Sequence, residues 1–221
     1  RNSSVGAIRI ITRAAPLDEP DFKADVTVGS REQRNARLAW GIPLIEDKLG
    51  LRLSFDTRNN DGWQRSLNTG RRAQGEDITA VRAALRYAAS DNLELTLRGD
   101  YMRDHSPTRM GSAFRFDTDN NPYTFEETPE ARAINEVEPW GSSLTAEWSP
   151  GPVTVTSISA YRGLRYRNAN DVDGRAAVRS FEVDRQDLDQ WQFTQEIFVG
   201  GKSLAGANVD WVAGAFYLEE Q

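Results

Sequence analysis

Few residues in this chain are of a type and spacing that could carry bond-making chemistry. There is one histidine, His105, and no cysteine. A transition-metal site draws on several imidazole or thiolate ligands, so His105 has nothing with which to share one, and a solvated loop histidine is the simpler reading. Serines are available as nucleophiles, but His105 would have to serve as base and nothing in the sequence positions it. Asp117-Thr118-Asp119-Asn120-Asn121 begins like a calcium loop. The match then fails, because Pro122 stands where the sharp turn needs glycine and Thr128 where the terminal glutamate belongs. Asn170-Asp171-Val172-Asp173-Gly174 offers oxygen ligands, yet such a cluster is also ordinary turn chemistry. Gly200-Gly201-Lys202-Ser203 lacks the leading glycine of a phosphate-cradling loop. The expectation is a protein that is not an enzyme and uses no metal or cofactor.

Charges and rings remain. Arg37, Arg52, Arg58, Arg82, Arg86 and Arg98 fall in phase with Asp25, Asp56, Glu94, Asp100, Glu147 and Glu196 along alternating segments. Interleaved signs read first as charges that face water and pair with one another. The functional alternative is that Arg52, Arg82, Arg86 and Arg98 guide an anionic ligand along the face they share. Trp63, Phe114, Phe116 and Tyr123, in long connecting segments, are candidate contacts for a ring-bearing or sugar-like solute. They are equally able to pack those loops on themselves.

The elements that would position these residues are strands. In Leu93-Glu94-Leu95-Thr96-Leu97-Arg98-Gly99-Asp100-Tyr101 every second side chain is apolar, which gives a strand one oily and one charged face. The same alternation predicts strands near 21–29, 34–42, 49–58, 79–88, 93–104, 140–149, 153–167, 190–199 and 209–219. Phe22, Val26, Leu38, Trp40, Leu51, Leu53, Phe55, Val81 and Leu85 belong to the oily set. Two segments are less regular: Ile158, Ala160 and Leu164 are out of phase with Val153 and Val155, and Trp211 to Leu218 is apolar on both faces. A bulge or a packed interior would account for either.

After a first turn around Ser30 to Gln33, the connections alternate between short and long. Pro43 to Lys48, Ala89 to Asn92 and Pro150 to Pro152 are short, Asn59 to Ile78, His105 to Pro139 and Asn168 to Asp189 are long, and Gly200 to Asn208 is intermediate. Up-and-down strands send alternate connections to opposite ends, so one end carries tight turns and the other long loops, as in outer-membrane barrels. Trp40, Tyr87, Trp148 and Trp211 sit at strand ends next to short turns; Tyr101, Trp140, Tyr166 and Trp191 sit next to long loops. Two belts of Trp and Tyr suit the two headgroup levels of a membrane, where an apolar ring body and a polar tip are both satisfied. The fold class expected is all-β, an antiparallel up-and-down transmembrane β-barrel wall of about nine strands.

Composition is consistent with this and would not reveal it. The chain has 221 residues, 38% of them hydrophobic, and a mean hydropathy of -0.62. A barrel escapes hydropathy because only alternate residues face lipid. The net charge of -6 disfavours a nucleic-acid partner. Only Lys23, Lys48 and Lys202 of the 27 basic residues are lysine. No secretory leader is visible ahead of Arg1-Asn2-Ser3-Ser4, and a fragment of a longer protein is expected.

Gly6-Ala7-Ile8-Arg9-Ile10-Ile11-Thr12-Arg13, preceded by Asn2 and followed by Pro16, resembles the last plug strand of TonB-dependent outer-membrane receptors, although Val5 stands where that family usually has a first glycine. Ile42-Pro43-Leu44 with its acidic turn, Leu51-Arg52-Leu53-Ser54, Asp61-Gly62-Trp63, Ser159-Ala160-Tyr161-Arg162, Gln195-Glu196-Ile197 and Trp211 to Tyr217 extend the likeness over nearly the whole chain, in the family's order. The resemblance implies the end of a plug domain at residues 1–13, a linker at 14–20 and, over 21–221, the first part of a 22-stranded barrel. It implies a bacterial outer-membrane location and energy-coupled uptake of a scarce solute such as a ferric siderophore, cobalamin or an oligosaccharide. The partners implied are TonB, the lipid bilayer with its lipopolysaccharide, and the small-molecule ligand. A passive porin-type or adhesin barrel, and a soluble β-rich binding domain, are the alternatives.

Overall fold

The computed structural model describes residues 11–107, 121–127, 134–171, 183–204 and 207–221. Nine long strands form one antiparallel sheet in strict up-and-down order. They are β1 (Asp21–Gly29), β2 (Gln33–Ile45), β3 (Leu49–Asn60), β6 (Glu76–Ser90), β7 (Leu93–Asp104), β9 (Ile134–Trp148), β10 (Val153–Asp171), β11 (Val183–Leu204) and β12 (Ala207–Glu220). Three short strands, β4 (Gln64–Ser66), β5 (Arg72–Ala73) and β8 (Thr124–Phe125), make a second sheet in the order β5-β4-β8. The nine-stranded sheet is the wall of a barrel, with each strand hydrogen-bonded to its neighbours in sequence along the wall.

Register carries the two faces across the whole sheet. One row of paired residues runs Phe22, Trp40, Leu53, Ala83, Gly99, Ser142, and another runs Leu51, Leu85, Leu97, Leu144. The adjacent row on the opposite face runs Lys23, Ala39, Ser54, Arg82, Asp100, Gly141, Arg162. A slip of one residue anywhere would turn a strand's oily set onto the charged face, so the continuity of both rows fixes the register. The apolar face has no packed counterpart among the described residues. Phe22, Val26, Val28, Trp40, Leu97, Leu144 and Ile197 are all exposed on it. That surface is tolerable in hydrocarbon and a liability in water.

The two irregular segments have a definite explanation. β10 pairs with β9 and β11 without a register break through Ile158, Ala160 and Leu164, so no bulge is present there. These residues face the charged side, and Ser157, Ser159 and Tyr161 face the apolar side. In β12 the same parity puts Trp211, Ala213, Ala215 and Tyr217 on the apolar face and Val212, Gly214, Phe216 and Leu218 on the other. The interior face therefore changes from charged over β1 to β7 to mixed over β10 and β11, where Ile158 and Leu164 alternate with Arg162, Thr194 and Glu196, and to apolar on β12.

Parity also corrects one member of the aromatic belts. Tyr166 pairs with Val137 and Leu188 and lies on the interior face. Its place in the belt is taken by Tyr161, whose ring centroid is 5.4 Å from that of Trp140 and 5.8 Å from that of Trp191. With Tyr101 paired to Trp140, four neighbouring strands carry a continuous aromatic row near the long-loop end. The row depends on Gly163, opposite Trp140 in the ladder: a Cβ there would lie 2.4 Å from the indole. Each aromatic pair contributes about 0.5–1.5 kcal/mol beyond area burial. Trp140 and Trp148 lie eight residues apart on β9, about 27 Å along the strand and about 21 Å along the axis at a tilt near 40°. That is close to the height of an apolar membrane band.

Several strands are longer than the alternation predicts. β9 begins at Ile134, β10 ends at Asp171 and β11 starts at Val183. The long connections shorten accordingly, and only two residues separate β11 from β12.

Candidate functional site

The residues before β1 lie on the interior face, against β2 and β3. Arg52 is buried there at 8% exposure. Its Nε donates to the carbonyl oxygen of Ala14 at 2.8 Å, and its two terminal nitrogens grip the Asp21 carboxylate, one at 3.0 Å. Asp47 N donates to the carbonyl oxygen of Leu17 at 2.8 Å, and Ala15 is buried. The chain fits so closely because β3 offers Gly50, where a Cβ would lie 2.1 Å from the Pro16 carbonyl oxygen. The segment 14–17 is thus clamped to the inside of the wall at its short-turn end.

The four arginines singled out from sequence all lie on the interior face and divide by what they touch. Arg52 is committed to the clamp, and Arg86 Nη2 donates to Glu94 at 2.8 Å. Arg98 Nη1 donates to the Thr145 hydroxyl at 3.1 Å. Arg82 makes no hydrogen bond or ion pair among the described residues. The carboxylate opposite it in the ladder, Asp100, is held instead by both terminal nitrogens of Arg162, at 3.1 and 2.9 Å. Lys23, in the same row as Arg82, is also without a partner among the described residues. Between the two cations lie only Ala39 and Ser54, which leaves a shallow trough of about 630 Å³. Arg37 and Arg58 share Asp56 at 2.9 and 3.0 Å. The interior arginines are therefore mostly engaged, with Arg82 and Lys23 left without a partner among the described residues.

At the long-loop end, two connections are fastened to each other. β4 pairs with β5 in its own loop and, in parallel, with β8 from the loop after β7. Phe125 and Ala73 form its small core, and the Arg71 guanidinium lies 5.8 Å from the Phe125 ring centroid. Glu127, 3% exposed, closes the unit. It accepts from Arg71 Nε at 2.9 Å and from the Thr69 hydroxyl, while Asn68 Nδ2 donates to its carbonyl oxygen at 2.6 Å. Burial raises the affinity of this carboxyl for a proton, but the bonds from Arg71 and Thr69 outweigh it and hold Glu127 below the usual glutamate range.

This unit presents two of the predicted loop contacts together. Trp63 and Tyr123, both exposed, meet edge to face at 5.9 Å and 84°. Gly62 sets the Trp63 backbone, with φ at +77° and its α-carbon close to the Ala73 carbonyl oxygen, a conformation open to glycine. Phe114 and Phe116 lie outside the described residues, as do most of the Asp117–Asn121 and Asn170–Gly174 clusters. His105 has protein partners: Nδ1 accepts from Arg103 Nε at 3.2 Å and Nε2 lies 2.9 Å from Glu138 Oε1. No cluster of three or more metal-ligating side chains occurs among the described residues. Sequence reasoning missed the β4-β5-β8 unit and the cleft beneath it, of about 710 Å³, lined by Gln33, Asn60, Trp63, Gln74, Glu76 and Asp104 among others.

No family model and no curated protein matches the sequence. Solved structures do. The ferric yersiniabactin uptake receptor from Yersinia pestis matches with a TM-score of 0.76 at 14% identity, over 95% of this chain and 32% of its own. The ferric-catecholate import receptor from E. coli K12 gives a TM-score of 0.73 at 11% identity, over 95% and 35%. A siderophore receptor from Acinetobacter baumannii gives 0.59 at 16%, over 95% and 31%. The chain thus spans about a third of the length of these receptors, and its fold is that of a stretch of receptor barrel wall.

Proposed function

We propose that this chain forms part of the wall of a bacterial outer-membrane receptor that takes up a scarce solute with energy delivered through TonB. The observation that carries this reading is the clamp at Arg52. A chain that reaches β1 along the inside of the wall, held there at Ala14 and Pro16, is the approach that a plug inside the barrel would require, which supports the reading. A passive pore needs no such arrangement. Residues 1–13 are then the end of the plug, 14–20 the linker and 21–221 the barrel. The similarity to structures described as uptake, import and siderophore receptors supports the same assignment.

In this mechanism, binding and gating replace bond chemistry. The fastened loops at the long-loop end face outside and receive the solute, and the apolar face with its aromatic belts sits in the bilayer beside lipopolysaccharide. Arg82 and Lys23 lie farther down the interior face, where unpaired cations attract anionic groups of the solute or the plug. Because the clamp holds Ala14 to the wall, the movement that opens the lumen takes place in the residues before it. The test is uptake by the full-length protein in cells with and without a proton gradient. Uptake is expected to stop when the gradient is collapsed; uptake that persists would establish a passive pore instead.

A further inference from the structure

The geometry points to the cleft under the β4-β5-β8 unit as a recognition site for an uncharged, hydroxyl-rich solute, a saccharide of two or three rings. This rests on the receptor reading above and specifies what its outer mouth recognises. The cleft has the size of a small-ligand site, about 710 Å³, and stands at the long-loop end of the interior face. Its lining is dominated by neutral hydrogen-bonding side chains. The amides of Gln33 and Gln74 make no hydrogen bond among the described residues, so each offers both a donor and an acceptor. The two carboxylates are only partly engaged. Glu76 accepts from Asn60 Nδ2 at 2.9 Å and Asp104 from Ser106 N at 2.9 Å, which leaves each with acceptor capacity. Among the described residues the lining holds one cation, Arg31, against the carboxylates of Glu76 and Asp104.

That arrangement discriminates by chemistry. Hydroxyl groups are donors and acceptors at once, and amides and carboxylates together satisfy both roles. Against the described lining, a strongly anionic chelate meets two carboxylates and one guanidinium and loses hydration with little compensation. Trp63 completes the site as an apolar ring in its lining, suited to the C–H face of a sugar, and its edge-to-face contact with Tyr123 holds it in place. The free cations Lys23 and Arg82 belong to a separate trough, so the outer cleft is distinct in character from the interior below it.

The experiment is binding to the full-length protein in detergent micelles, followed by tryptophan fluorescence. The probes are a panel of uncharged di- and trisaccharides and, separately, an anionic ferric tris-catecholate. Saturable saccharide binding is expected, weakened about tenfold in both Trp63→Ala and Gln74→Ala, with heat-resistant migration of both variants showing that the barrel is intact. Gln74→Ala keeps every tryptophan, so loss of signal alone cannot imitate loss of binding. Absence of saturable binding by every saccharide, or binding that neither variant weakens, overturns the inference. Gradient-dependent uptake of the ferric chelate without saccharide binding would remove this inference and leave the receptor reading. Saccharide binding without gradient-dependent uptake would do the reverse.

Discussion

Arg52 ties Ala14 to Asp21: its Nε donates to the Ala14 carbonyl oxygen at 2.8 Å while its terminal nitrogens hold the carboxylate that opens β1. One side chain thus sets where the segment before β1 meets the wall. In the full-length protein, Arg52→Ala is expected to free residues 14–17, with a stability cost of about 1–3 kcal/mol for the charge-assisted hydrogen bonds lost. Arg52→Lys cannot make all three bonds at once and should fall between. Limited proteolysis before Asp21 reports the change, and an unaltered cleavage rate in Arg52→Ala would show that the clamp does not hold residues 14–17.

The loop unit should loosen in acid. Glu127 is held below the usual glutamate range by Arg71 and Thr69. A depressed carboxyl stabilises the fold fully above its unfolded value, and the contribution fades as pH falls through the folded one. Hydrogen exchange over 64–73 and 124–127 is therefore expected to be slow at neutral pH and to quicken, after correction for intrinsic rates, as pH falls below about 4.3. Glu127→Gln should remove the pH dependence and exchange faster at neutral pH.

Gly163→Leu puts a side chain where the Trp140 indole lies, 2.4 Å from the Cβ position. Displacement of Trp140 breaks its contacts with Tyr161, and with them the link to Trp191. Overpacking of this kind costs about 1–3 kcal/mol. A lower temperature for loss of heat-resistant migration is the expected readout.

Leu144 and Thr145 are neighbours on β9 with opposite surroundings. Leu144→Arg puts a charge on the apolar face between Trp140 and Trp148 and is expected to cost about 2–4 kcal/mol. Thr145→Arg adds a charge beside Arg98 on the interior face and should be tolerated with less than half that loss, as measured by denaturant unfolding in lipid vesicles.

The nine wall strands and their order were legible because a membrane imposes alternation on every segment that crosses it. Where the wall rises past that band, as in Ile134 to Pro139 or Gln186 to Asp189, both faces meet water and the alternation vanishes, so those strand ends are not visible in the sequence. β4 and β8 were hidden for a different reason: a parallel pairing of two or three residues from separate loops leaves no local pattern. Hydropathy alone puts Tyr166 in the belt because β10 carries Ser157 and Ser159 on its apolar face and Ile158 on its interior one, which misleads any count of parity. For the site, types were readable and commitments were not. Nothing in the sequence separates Arg82, which has no partner among the described residues, from Arg86, which is bound to Glu94.

The central claim, that this sheet is a membrane wall with one face in lipid and the other in the lumen, is tested most directly by a nitroxide scan of β9 from Trp140 to Trp148. Labels placed one by one in the full-length protein in lipid vesicles are read for collision with oxygen and with a water-soluble nickel chelate. The prediction is a strict two-residue period, with positions 142, 144 and 146 open to oxygen and shielded from nickel, and positions 141, 143 and 145 shielded from oxygen. Nickel accessibility equal at positions 144 and 145, with no period of two, would contradict it.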